Sequence, residues 1–204
     1  MKTLSSLLSG TRRAALVAGI GLFAAGAVLA AKPAAPANNN PRVTLTTTMG
    51  DIVVELYPDK APKTVENFLQ YVKDKHFDGT IFHRVIKEFM IQTGGYDVNM
   101  WPRPTRPAIP LESKNGLKNE RGTLAMARGA PDSASDQFFI NVVNNDGLNI
   151  GKAGDKAGYA VFGKVVTGMN VVDKISVVKT GVKDGQKDVP LKPVTLTSAT
   201  IVAK

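Results

Sequence analysis

The chain has 204 residues, of which 43% are hydrophobic and 21% charged, a composition typical of a folded protein with one well-buried domain. It contains no cysteine and two histidines, which excludes a disulfide framework, a thiolate nucleophile and Cys-ligated zinc, and argues against an all-histidine metal site. The formal net charge of +9 suggests a nucleic-acid or membrane-surface partner only if the charges cluster in the folded domain.

The first 31 residues have the pattern of a secretory signal peptide. Lys2, Arg12 and Arg13 form a positive region, and an uninterrupted apolar or glycine stretch follows over residues 14–31. A retained membrane anchor is the competing interpretation, but the alanine and glycine content makes this stretch a weak span. We therefore expect cleavage after residue 30 or 31, which lowers the net charge from +9 to +6.

Residues 32–42 are rich in Ala, Pro and Asn and are typical of a flexible linker, so the folded domain is expected over residues 43–204. The domain begins with alternating apolar residues at 42–46 and 52–56, separated by a turn that contains glycine. This pattern predicts a β-hairpin.

Two helices and several short strands are predicted in the rest of the domain. Thr64 is predicted to N-cap a helix with an apolar stripe from Val65 to Val72, and a second helix is predicted over Met169–Ser176. Short apolar runs predict strands at 81–86, 89–93, 122–128, 137–142 and 160–166, with a closing strand or two between 194 and 201.

Four prolines, at 102, 104, 107 and 110, mark a segment that can be neither a helix nor a central strand. Its PxxP spacings are also found in polyproline ligands, but in a compact exported protein we favour an ordered surface loop. Many short strands with only two helices and no βαβ rhythm predict an all-β barrel or sandwich with helices at its ends.

Three segments carry a family resemblance. They are Phe82-His83-Arg84-Val85-Ile86 followed by 89–95, then 122–128 leading into 137–141, then 159–165 followed by Gly168-Met169. In this order and spacing they closely resemble the cyclophilin family of peptidyl-prolyl cis/trans isomerases, in its bacterial periplasmic form. The resemblance implies an all-β dominated fold: an eight-stranded antiparallel β-barrel capped by two α-helices, with the substrate in a groove on its outer face.

The resemblance identifies Arg84 as the catalytic residue. An X–Pro bond rotates over a barrier of about 18–20 kcal/mol that amide resonance sets, and no covalent bond breaks, so we expect no cofactor, metal or nucleophile. As resonance is lost, the lone pair of the proline nitrogen becomes available to a cationic donor. A guanidinium at Arg84 would stabilise that twisted amide.

The resemblance also implies a set of substrate-binding residues: His83, Phe89, Met90, Gln92, Ala127, Arg128, Gln137, Phe139, Leu148 and Tyr159. The apolar members Phe89, Met90, Phe139 and Leu148 match the pocket for the proline ring. Ala127 and Arg128 match a stretch whose main chain pairs with the peptide, which leaves the Arg128 side chain without a separate role. Strand alternation directs His83 away from Arg84, so His83 is interpreted as structural or pocket-lining.

Two positions depart from the family pattern. Tyr159 stands where many eukaryotic members have histidine, and Gly147 stands where members usually carry Trp or Phe. The missing aromatic side chain removes one wall of the groove, so we expect weak sensitivity to cyclosporin.

The function predicted is acceleration of X–Pro rotation in unfolded or flexible exported proteins, which assists folding in the periplasm. A proline-peptide-binding chaperone with negligible turnover is the alternative. Nucleic-acid binding is disfavoured because the basic residues are spread along the domain without an aromatic-interleaved basic run. We expect a monomer that binds proline-containing peptide segments and has no stable membrane association after signal cleavage.

Overall fold

The computed structural model describes residues 40–203, so the predicted signal peptide and most of the predicted linker lie outside the described residues. No helix within this range is long and apolar enough to cross a membrane. Its elements, in chain order, are β1 (Arg42–Thr47), β2 (Gly50–Leu56), α1 (Pro62–Lys73), β3 (Thr80–Ile81), β4 (Arg84–Ile86), β5 (Met90–Thr93), β6 (Thr123–Met126), β7 (Phe138–Asn141), a short 3-10 helix (Asp146–Leu148), β8 (Val161–Thr167), α2 (Met169–Ser176), β9 (Thr180–Lys183), β10 (Gln186–Pro190) and β11 (Thr195–Ile201).

Nine of the strands form one curled antiparallel sheet in the order β3-β11-β1-β2-β8-β6-β7-β5-β4. Its two edge strands, β3 and β4, are separated in the chain only by Phe82 and His83, so the chain itself joins the two ends of the sheet. At this junction the Phe82 N–H donates to the Val194 oxygen, and Thr93 Oγ1 donates to the Ile81 oxygen, both at 2.9 Å. The sheet therefore has a closed-in inner face and an outer face.

This architecture confirms the predicted all-β dominated barrel with two helices, although it has more than eight strands. The predicted strand 81–86 divides into β3 and β4, because Phe82 and His83 leave the strand ladder at the junction. The hairpin of β9 and β10 was not predicted, since its strands are mostly exposed and lack a clear apolar alternation. Its turn carries Asp184-Gly185, both with positive φ (49° and 77°), and an Asp-Gly pair is the sequence signal that identifies such a hairpin.

The inner face of the sheet and the two helices enclose the main hydrophobic core. Phe68 of α1 is almost fully buried and contacts the rings of Phe77, Phe138 and Phe162, each at a centroid distance of 5.2 Å. Burying a large apolar side chain in this way stabilises the fold by about 1.5–3 kcal/mol. Because the core occupies the inner face, any ligand groove must lie outside it.

The second helix, α2, occupies the predicted range Met169–Ser176. It begins after Gly168, which has a φ of 91°, and a Cβ at this position would collide with the main-chain oxygen of Asp51. Only glycine fits here, for both conformational and steric reasons.

The start of α1 differs from the prediction. The helix begins at Pro62, its N-cap residue is Ala61, and no side chain of the N-cap residue bonds to the helix, so the prediction that Thr64 is the N-cap was wrong. A carboxylate from a distant loop caps the helix instead. Glu112 Oε1 accepts the Lys63 N–H, and Glu112 Oε2 accepts the Thr64 N–H and hydroxyl at 2.8 and 2.7 Å. A carboxylate at a helix N-terminus also interacts favourably with the helix dipole.

We expect a Glu112→Ala substitution to lower the free energy of unfolding by about 1–2 kcal/mol, because it leaves the first turn of α1 without its capping acceptor. The measurement is urea denaturation followed by circular dichroism. Glu66→Ala is the matched control, since within residues 40–203 Glu66 on the same helix forms only an exposed ion pair with Lys63, and its loss should cost less than about 0.5 kcal/mol. Equal effects of the two substitutions would contradict the capping role of Glu112.

Candidate active site

The register of five neighbouring strands places one row of side chains across the outer face of the sheet. The paired residues, from β4 to β5, β7, β6 and β8, are Arg84, Gln92, Phe139, Ala125 and Val161. At least one chain neighbour of each belongs to the inner core, since side chains alternate across the pleat. The strands that fill the core with one set of residues thus present the other set on the outside.

A cavity of about 270 Å³ lies on this outer face. Its lining residues all belong to the predicted site: Arg84, Phe89, Met90, Gln92, Ala127, Arg128, Phe139, Leu148 and Tyr159. Buried Met90 and Phe139 form its apolar floor, and the Tyr159 ring meets the Phe139 ring edge-on at 5.7 Å. The structure therefore brings two guanidinium groups, one side-chain amide and a compact apolar surface together, with Leu148 supplied by the 3-10 helix.

Gln137 lies beside this cavity and lines an adjoining one of about 220 Å³ that shares Gln92, Ala127 and Arg128. Gln92 Nε2 donates to Gln137 Oε1 at 2.9 Å, so the two amides orient each other. The Gln137 side chain fits because residue 95 is glycine: a Cβ there would lie 2.6 Å from it.

His83 does not line the cavity. It is 2% exposed, its ring packs against that of Tyr96 at 4.8 Å, and its Nδ1 has no hydrogen-bond partner among residues 40–203. Burial lowers the pKa of His83 to about 4, and the Ile81 main chain and Gln137 side chain oppose that shift only in part. Of the two predicted roles, the structure places His83 in a structural position behind Gln137 and not among the groups that a substrate can touch.

Asp188 is a residue of the site that was not predicted. Its carboxylate Oδ2 lies 4.0 Å from Arg84 Nε, and both side chains are a little under half exposed. Asp188 sits where the register of β10 against β9 shifts and has a positive φ of 64°. The next residue, Val189, is buried with Ile81 and Met100, which anchors the hairpin against the sheet edge. An acidic group thus faces the Nε edge of the Arg84 guanidinium.

The Arg128 side chain has a structural role that its sequence position did not predict. It is 2% exposed, it donates to the Gly158 oxygen through Nε and Nη2 at 2.9 and 2.6 Å, and it forms a bidentate pair with Asp155. The guanidinium also lies 4.6 Å from the centre of the Tyr159 ring, in cation–π geometry. Arg128, together with the Ala157 N–H, lowers the pKa of Asp155 to about 2. Arg128 therefore holds the loop before Tyr159 and the ring that lines the cavity.

The chemistry available in the cavity is binding and electrostatic. Among residues 40–203, no group of three or more His, Asp and Glu side chains could hold a metal ion. What the cavity does offer is an apolar site for a small saturated ring, with a permanently charged guanidinium at its rim.

The matching family model and the similar proteins all describe the same enzyme class. The family model described as cyclophilin type peptidyl-prolyl cis-trans isomerase/CLD matches residues 42–201. A peptidyl-prolyl cis-trans isomerase of Acinetobacter baylyi is 52% identical over 163 residues, covering 79% of this chain and 86% of that protein. Peptidyl-prolyl cis-trans isomerase B of Escherichia coli is 53% identical over 161 residues, covering 78% of this chain and 98% of that protein.

Solved structures show the same similarity. A cyclophilin type isomerase of Cryptosporidium parvum superposes with a TM-score of 0.65 at 26% identity, covering 81% of this chain and 99% of that one. A second crystal structure of that protein, obtained in the presence of the dipeptide Ala-Pro, has a TM-score of 0.64.

The buried His83 predicts a pH dependence of stability. Its folded-state pKa of about 4 lies below the ordinary value of 6.5, so the unfolded chain binds the proton more readily. The contribution of neutral His83 to the free energy of unfolding is fully present above pH 6.5. It is lost as the pH is lowered from 6.5 to 4, and the loss is on the order of 3 kcal/mol. We expect His83→Gln to remove that part of the acid destabilisation.

Urea denaturation of both proteins at several pH values between 4 and 7.5 measures this difference. The His83→Gln protein is less stable at pH 7.5 if packing suffers, but its curve against pH should be flatter than that of the parent. Two parallel curves would show that His83 does not titrate with a lowered pKa.

Proposed function

The chain belongs to the cyclophilin-type peptidyl-prolyl cis-trans isomerase family and is such an isomerase, and from this premise we propose that it assists the folding of exported proteins by rotating X–Pro bonds in their unfolded or flexible segments. The proline ring occupies the apolar cavity, and Arg84 stabilises the twisted amide. The observation that carries the proposal is the register that places Arg84 beside Gln92 and Phe139 on one face.

The residues that line the cavity suit a proline ring. Phe139 and Met90 are nearly fully buried in the sheet and form a rigid floor, whereas Phe89, Leu148 and Tyr159 are only partly buried and line the walls. Aromatic faces and a flexible thioether pack well on a saturated ring, and they hold it while the preceding carbonyl swings. The crystal structure of the Cryptosporidium protein in the presence of Ala-Pro supports a proline-containing ligand for this family member as well.

Arg84 supplies the differential stabilisation. In the planar amide the nitrogen lone pair is delocalised, and it becomes an acceptor only as the bond twists. A guanidinium donor at the rim of the cavity therefore binds the transition state more strongly than either ground state, which is the condition for catalysis. Asp188 faces Nε of Arg84, and no hydrogen bond from the terminal nitrogens of Arg84 to another residue occurs within residues 40–203, so those nitrogens are free to donate to the substrate.

We expect the main chain around Ala127 to bind the peptide backbone next to the proline. The Ala127 N–H donates to the Gln137 oxygen at 2.9 Å, which holds the strand end next to the cavity. Gln92 and Gln137 lie on the same side and provide further amide groups for a peptide backbone. An extended peptide bound along this stretch is recognised mainly through its backbone, so many client sequences fit.

The proposed setting is the periplasm. The signal-like residues 1–31 and the linker 32–42 would deliver residues 43–204 as a soluble, monomeric domain whose partners are proline-containing peptide segments. Export fits the proposed clients, since proteins that have just crossed a membrane are unfolded and their X–Pro bonds equilibrate in tens to hundreds of seconds when unaided.

We expect Arg84→Ala to lower kcat/KM for isomerisation of an X–Pro peptide by roughly a hundredfold or more, because the donor to the proline nitrogen is lost. Arg84→Lys should recover only part of the loss, since lysine keeps the charge but not the rigid fork of donors. The cis-to-trans relaxation of a short proline peptide, with and without residues 43–204, measures the rates.

Arg106→Ala is the control for removing one arginine, since Arg106 forms an exposed pair with Asp74 and does not line the cavity. It should leave the rate unchanged. Full activity of the Arg84→Ala protein would overturn the assigned role of Arg84, and no acceleration by the parent protein would leave only peptide binding.

Export is tested by the processing of the full chain expressed in a bacterium. We expect the mature protein in the periplasmic fraction, with an N-terminus at residue 31 or 32. Leu22→Arg should block processing, because a charge in the apolar stretch prevents its recognition, whereas Ser9→Arg adds the same charge outside that stretch and should not. An intact N-terminus in the membrane fraction would instead establish a retained anchor.

A further inference from the structure

A second, larger cavity lies next to the 270 Å³ cavity that we propose for the proline ring (the proline cavity) and shares none of its lining residues. It has a volume of about 720 Å³ and runs between the segments 113–118 and 146–152. Its lining includes Lys114, Lys118 and Lys152 but only one acidic residue, Asp146. We refer to this cavity as the lysine groove.

The 3-10 helix is the wall between the two cavities. Leu148 lines the proline cavity, whereas its neighbours Gly147 and Asn149 line the lysine groove. Leu117, on the groove side, packs against the same apolar cluster as Leu148. A peptide that places its proline beside Leu148 can therefore cross this wall and enter the groove.

The groove is held open by the chain around it. Asn119 donates from its main chain to Asn149 Oδ1 at 2.8 Å and accepts from the Asn145 N–H at 2.7 Å, which fixes both ends of the 3-10 helix. The far side of the loop is held by the pairing of Arg128 with Asp155. At Gly147 a Cβ would meet no atom within 4 Å, so no side chain fills the space above the wall.

The charge of the groove selects its occupant. Three lysines against one aspartate make the lining positive, and all four of these side chains belong to exposed residues that a ligand can reach. A positive, open groove favours carboxylates, and its effect weakens as salt screens the charges.

We propose that the lysine groove is an extension of the substrate site that binds an acidic side chain of the client, close in sequence to the proline. An extended chain advances about 3.3–3.6 Å per residue, so a position about two to four residues from the proline reaches across the wall. The inference rests on the proposed function and adds a preference to it: the enzyme isomerises X–Pro bonds flanked by Asp or Glu faster than those flanked by their amides.

The test compares pairs of proline peptides that differ only in Asp against Asn, or Glu against Gln, at positions two to four residues before or after the proline. At low ionic strength we expect kcat/KM to be about two- to fivefold higher for the acidic member at one or more of these positions. The ratio should approach one at about 1 M salt, where the Debye length is about 3 Å.

Two triple variants distinguish an effect of the groove lysines from an effect of the protein's net charge. Lys114→Gln, Lys118→Gln and Lys152→Gln together should bring the ratio close to one while kcat/KM for the amide peptides stays within about twofold of the parent value. Lys60→Gln, Lys73→Gln and Lys174→Gln remove the same charge from residues that do not line either cavity, and this variant should keep the ratio. Equal loss of the ratio in both variants would show a general charge effect and overturn the proposal.

Gly147→Trp provides an independent test, because it fills the open space above the wall without changing the charge. We expect it to lower the acidic preference, and a ratio that persists in this variant would place the carboxylate elsewhere. If kcat/KM is equal for the acidic and amide peptides in the parent protein at low salt, the proposed role of the groove is wrong. Acceleration of the amide peptides would in that case still support the isomerase activity. If no peptide is isomerised, the failure lies in the proposed function.

Discussion

The alternation of side chains across the strands β4 to β8 is the constraint on which the rest of the structure depends. Each strand must bury one set of residues, such as Val85, Ile91 and Phe138, in the core. The register that satisfies this packing also aligns Arg84 and Phe139 on the opposite face, since a slip of one residue would exchange the two sets. The stability of the barrel and the geometry of the site are therefore set by the same pairing.

The outer face would still be an open surface without the segments that connect the strands. The 3-10 helix brings Leu148 to the cavity, and the Arg128 guanidinium fixes the loop that ends at Tyr159. The hairpin of β9 and β10 brings Asp188 to Arg84. These contacts join parts of the chain that are distant in sequence, and they convert a row of side chains into a cavity with a floor, walls and a charged rim.

Much of the fold and of the proline cavity could be predicted. Regular apolar alternation marks β1 and β2, and the face of α2 is marked by Val171, Val172 and Ile175. The three family motifs contain every residue that lines the proline cavity except Leu148, which the resemblance implied outside those motifs. The positions of Glu112, Asp188 and the Arg128 side chain were not predictable in this way. Each acts on a partner at least 27 residues away, and no local pattern encodes a contact of that kind.

The sequence by itself determined which residues face inward and which type of chemistry they can perform, because periodicity and residue type are local properties of the chain. The tertiary structure alone decided which of these residues meet. It buried His83 away from the cavity, a choice between two roles that strand alternation had left open, and it opened a lysine-lined groove beside Leu148 at Gly147. Both results depend on the closure of the sheet and the path of its loops, which only long-range packing establishes.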